Sequence, residues 1–208
     1  MLKRSPRKSP IPEKPHRPKR AAAPVGVASA GWLPAGGAGF VAWGEAAERA
    51  HREFRSAWRV HQRDMGDDEL LRKADAAREL FMYTLERAYP AGFWEEMGEL
   101  QAGKAMDLEK YLAFLEADPF FFRSGYAKSE VIRGLKRAAL TAEQMSRLRN
   151  VVLSVIDKGF RREFRDYCRL ARRVQNAEWL REVEARLLAE DEGRAVRARW
   201  VLNACGRG

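Results

Sequence analysis

Apolar residues recur every three or four positions through most of the chain beyond residue 42, a spacing that predicts helices. Ala47, Ala50, His51, Phe54, Trp58 and His61 share one face of a helix expected from about Gly44 to Arg63. Asp67 is placed to cap a second, with Leu71, Ala74, Ala77, Phe81 and Leu85 inward and Pro90 as its stop. Shorter helices are expected over Phe93 to Gln101 and Asp107 to Ala117. Thr141 and Gln144 form a T-x-x-Q capping box; the helix they open presents Met145, Leu148, Val152, Val155 and Ile156 before Asp157 to Gly159 turns the chain. The clearest pattern is Gly159 to Val174, where Phe160, Phe164, Tyr167, Cys168, Ala171 and Val174 fall within an arc of roughly 120°. Lys158, Arg161, Arg162, Arg165, Arg169, Arg172 and Arg173 lie opposite that arc. Two more helices are expected: Glu178 to Ala189, with Trp179, Leu180, Val183 and Leu187 inward, and Gly193 to Cys205, with Val196, Trp200, Val201 and Ala204 inward.

No segment alternates with period two, so the fold class is all-α: about eight helices with short links, pairing as antiparallel helical hairpins. An irregular bundle and a short α-solenoid both satisfy that pattern. The stretch DEGRAVRARWVLNAC resembles the second helix of a HEAT-type repeat, over too few residues to name a family. Residues 1–42 are expected to be a disordered basic tail, because seven of the nine prolines fall in residues 1–34 and glycines follow. Residues 43–208 are expected as one helical domain, with possible sub-halves 43–117 and 118–208.

A structural corner is expected at the boundary of those halves, in DPFFFRSGYAKSE. There Asp118 reads as an N-cap, Pro119 as a first helical position and Gly125 as a left-handed stop. Phe120, Phe121 and Phe122 point about 100° apart and cannot all face one way. One is expected on Leu112 or Leu115, another on the following helix that carries Val131, Ile132 and Leu135, with Arg123 and Tyr126 at the rim.

Charge alters the picture more than composition does. The net charge is +10, but residues 1–20 carry +7 of it, which suits a polyanionic partner for the tail. SPRK at Ser5 to Lys8, with Arg4 and Arg7 among its cations, resembles the Ser-Pro-basic-basic element of DNA-binding chromatin tails. Pro12, Pro15 and Pro18 fall on one edge of a polyproline helix. In residues 158–173, seven cations against Glu163 and Asp166 leave +5, and Lys128, Arg133, Lys136, Arg137, Arg147 and Arg149 extend the patch if helices lie side by side. The acidic residues of 178–192 oppose this, since an antiparallel hairpin would set them against the arginines.

Catalytic chemistry has little to stand on. Glu48 and His51 make a single E-x-x-H, but a two-metal bundle needs a second copy and more inward carboxylates. Cys168 lies on an apolar stripe, where cysteine behaves as a small hydrophobe, and with Cys205 it reads as a reduced thiol of a cytoplasmic protein. No phosphate-binding glycine loop, nucleophile elbow or paired-cysteine zinc pattern occurs, so no cofactor or metal is expected. No stretch is long and apolar enough for a transmembrane segment. The sequence therefore places first a non-enzymatic helical scaffold that binds another protein or nucleic acid. A nucleic-acid-binding protein using the 158–173 face and the tail stands second, and a helical enzyme or metal-binding bundle third.

Overall fold

The capping signals at Asp67 and Thr141 work as the sequence implies. The Asp67 carboxylate accepts hydrogen bonds from the backbone N–H groups of Glu69 and Leu70, and Thr141 and Gln144 close a reciprocal capping box. The computed structural model describes residue 34 and residues 39–104 and 107–207. Among them it is all-helical: α1 (Phe40–His61), α2 (Asp68–Arg87), α3 (Met97–Gln101), α4 (Glu109–Ala117), α5 (Ser124–Leu135), α6 (Ala142–Lys158), α7 (Phe164–Val174), α8 (Ala177–Ala185) and α9 (Glu192–Ala204). No strand occurs among the described residues, and no helix there is long and apolar enough to cross a membrane. Most of the expected tail lies outside the described residues, but residues 40–42 are already helical, because Phe40 rests its ring on Phe114.

α6 is the central post. Leu148, Val151, Val152, Leu153, Val155 and Ile156 are all buried, and the helix is flanked by α4, α7 and α9. In a solenoid each repeat touches only its neighbours in sequence, so this arrangement is a bundle. Arginines close its helix ends. Arg197 donates from Nε to the Ile156 carbonyl (2.7 Å), Arg149 to that of Val174 (3.0 Å) and Arg137 to that of Gln101 (2.9 Å), satisfying carbonyls that helix termini leave unpaired.

Several inward assignments change for physical reasons. α1 and α2 pack chiefly on each other, so the far end of their hairpin has no third layer and Trp58 and Leu71 are exposed. Arg186–Leu188 forms a 3-10 turn, which departs from 100° per residue and rotates Leu187 outward. In α9 the buried stripe is Arg197, Ala198, Val201 and Leu202, rotated to bring Arg197 to the Ile156 carbonyl; Val196 and Trp200 are left on the surface.

The corner is also built differently from its expectation. Asp118 is not an N-cap: it ends α4 in the left-handed conformation (φ 46°), and Arg123 (φ 67°) takes that conformation just before α5. The segment between them forms no helical turn, and Gly125 lies inside α5. Phe121 is buried against Tyr89 and Phe114, with Gly44 of α1 close enough that a Cβ there would stand 2.9 Å from the ring. Phe122 packs on His51 and Phe81, pinning the α1–α2 hairpin to the body. Phe120 is 76% exposed.

Candidate functional site

α5 and α7 lie side by side and parallel, joined across α6. Gly125 in the first turn of α5 faces Glu163 at the start of α7, where a Cβ would stand 2.7 Å from Oε2. Farther along, Arg133 Nη2 is 3.6 Å from Asp166 Oδ2. Their apolar faces explain the pairing: Ala127, Val131, Ile132 and Leu135 of α5 and Phe164, Tyr167, Cys168, Ala171 and Val174 of α7 are all buried. The pair therefore has two distinct ends. Each gathers cations.

At the amino end the cations are internal. Lys128, fully buried, donates to Asp118 Oδ1 at 2.6 Å and stands 3.8 Å from Glu163 Oε1. Arg161 donates from Nη1 to Asp118 Oδ1 (3.0 Å) and sets Nη2 2.9 Å from Oδ2, with Lys158 Nζ at 3.6 Å. Burial pushes the Lys128 pKa down, opposed by Asp118 and Glu163. The buried Tyr167 hydroxyl has no hydrogen-bond partner among the described residues; burial first, then the charges of Asp118 and Glu163, hold its pKa well above the usual phenol range. These ion pairs tie the corner, α5 and the turn before α7 together.

At the carboxyl end the cations face outward. Arg133, Lys136 and Arg137 of α5 and its flank, with Arg169, Arg172 and Arg173 of α7, line an open groove of about 400 Å³. Asp166 is the one carboxylate paired with them among the described residues, 3.1 Å from Arg169 and 3.6 Å from Arg133. Lys136, Arg172 and Arg173 stand in no ion pair among those residues. The Lys136 pKa is pushed down, by burial first and then by Arg169, Arg133 and Arg137, while Asp166 opposes. Such crowding of like charge is relieved by a bound anion. The surrounding segment, residues 119–175, holds fourteen Lys/Arg and five Asp/Glu, a net +9.

The seven cations of 158–173 thus do not form one face. α7 begins at Phe164 rather than Gly159, because Gly159 adopts φ 127° and breaks the helix. Lys158 and Arg161 turn in to Asp118, Arg162 lies 3.7 Å over the Tyr126 ring, Arg165 is exposed, and Arg169, Arg172 and Arg173 reach the groove. Phe160, expected inward, is 64% exposed in that break. Arg4, Arg7 and Lys8 lie outside the described residues.

Of the possible extensions, Arg133, Lys136 and Arg137 join the groove. Arg147 instead binds Glu109 and Glu116, and Arg149 closes α7. The acidic segment makes no ion pair with α7 among the described residues, where Asp191 pairs with Arg197 instead. The buried cluster of Lys128, Asp118 and Glu163 is absent from the sequence pattern's expectations. For Lys128 a sign of it exists, since it lies at helical spacing with Val131, Ile132 and Leu135 on the apolar stripe.

The other chemical candidates belong to the packing. The His51 ring lies 4.8 Å from Phe81 and 4.3 Å from Phe122, and Glu48 is 3.9 Å from Arg52. No group of three metal-ligating side chains occurs among the described residues. Cys168 and Cys205 are free thiols, and burial pushes Cys168 up to about 11, which favours its protonated form. Comparison with protein families, curated proteins and solved structures finds no match for this chain.

Proposed function

We propose that this is a nucleic-acid-binding protein that holds a phosphate backbone along the outer side of α5 and α7. One observation carries the reading: six cations from two parallel helices and the turn that follows α5 converge on one groove, with Asp166 their single paired carboxylate among the described residues. Helix carboxyl ends favour cations, which accounts for one or two at each end but not for six at one place. Phosphates contacted there release counterions, and affinity then falls steeply with salt. The basic tail would add to the same field.

Fluorescence anisotropy with labelled DNA and RNA at several salt concentrations tests this. The full chain is expected to bind at low salt, with a log–log salt slope that becomes shallower by about 0.7–0.9 for each phosphate contact removed in Arg172→Ala/Arg173→Ala. Absence of binding at low salt would sink the reading. What then remains is the protein-binding scaffold, for which the exposed Trp58, Val60, Met65 and Leu71 at the far end of the α1–α2 hairpin supply the surface.

A further inference from the structure

Exposed aromatic rings gather at the opposite end of the same helix pair. Phe160, 64% exposed, meets Trp200 of α9 edge to face at 5.7 Å, and Trp200 is itself 43% exposed. Both rings rest on the fully buried Phe164, each at 6.0 Å, so the pair has a rigid backing. Nearby, Tyr126 is half exposed with the Arg162 guanidinium stacked on one face. Exposed cations neighbour these rings along the chain: Lys158 and Arg162 stand two positions either side of Phe160, and Arg199 precedes Trp200.

From this we infer that the ligand is a single-stranded nucleic acid, its backbone in the α5–α7 groove and its bases stacked on the Phe160–Trp200 platform and Tyr126. The inference rests on the nucleic-acid reading above and adds the strandedness. α7 has 11 residues and is about 16 Å long, so the groove and the platform are a few nucleotides apart. Arg165 and Arg169 mark the path between them on the outer side of α7. In a duplex the base faces are already stacked on one another; in a single strand they are free, and aromatic platforms take them whatever the sequence. A protein-docking apolar patch has no need of the flanking cations.

The test is anisotropy of the full chain with fluorescein-labelled single-stranded RNA, single-stranded DNA and duplex DNA, each about 12 nucleotides long. The account expects tighter binding of either single strand than of duplex. Phe160→Ala is expected to weaken single-strand binding about tenfold, or about 1.4 kcal/mol, within the range for one stacked base. Phe160→Tyr, which keeps the ring, is expected to restore it, and duplex binding should be unaltered by either change. Phe160 is on the surface, so neither substitution disturbs the core. If duplex and single strand bind equally and Phe160→Ala changes neither, the inference is overturned and the groove reading stands. If nothing binds at low salt, the groove reading itself fails. Binding of RNA alone or of DNA alone, with the Phe160 effect intact, supports the platform and names the sugar.

Discussion

The two ends of the α5–α7 pair set the same residue types in opposite surroundings. At the amino end Lys128, Arg161 and Lys158 meet Asp118 and Glu163, and Lys128 has no exposure at all. At the carboxyl end six cations line an open groove, and among the described residues only Arg133 and Arg169 of them pair with a carboxylate, Asp166. A lysine or arginine becomes a structural tie where carboxylates and burial surround it and stays open to solvent where they do not; its place in the sequence pattern decides neither.

The comparison breaks most visibly at Lys128. Replacing it by alanine leaves Asp118 and Glu163 buried without their central cation and is expected to cost about 3–5 kcal/mol of unfolding free energy in denaturant titration. A cost under about 0.5 kcal/mol would show that the cluster is not a structural tie.

A smaller effect is expected at the corner's aromatic side. Burial lowers the His51 pKa from the ordinary imidazole value, with Arg55 lowering it further and Glu48 opposing. The neutral ring is therefore the form the fold prefers, and its stability contribution is complete above the unfolded-state pKa of about 6.5 and lost as pH falls through the lower folded value. Wild type should lose more stability than His51→Leu between about pH 7 and pH 5. Equal losses would contradict this.

How much of this was legible beforehand follows from what each residue's environment depends on. Helix existence and the Asp67 and Thr141 caps are local properties, and they were readable from spacing and side-chain type. The basic composition of residues 158–173 was readable too, but its division was not. That division depends on Gly159 breaking the helix and on Asp118, about forty positions earlier, drawing in Arg161. The groove needed Arg133, Lys136 and Arg137 to arrive from a parallel helix across α6, a tertiary pairing that periodicity cannot reveal. At the corner, three adjacent phenylalanines had to diverge on any backbone, yet which one stayed outside was set by Gly44, His51 and Phe81 on the distant hairpin.

The claim that the two ends have opposite roles is tested most directly by measuring unfolding free energy and the salt slope of oligonucleotide binding for Arg161→Ala and Arg172→Ala in parallel. Arg161→Ala should cost about 1.5–3 kcal/mol of stability and leave the salt slope unchanged. Arg172→Ala should stay within about 0.5 kcal/mol of wild type and make the slope shallower by about 0.7–0.9. The reverse pattern, or equal effects of the two substitutions on both quantities, would contradict the account.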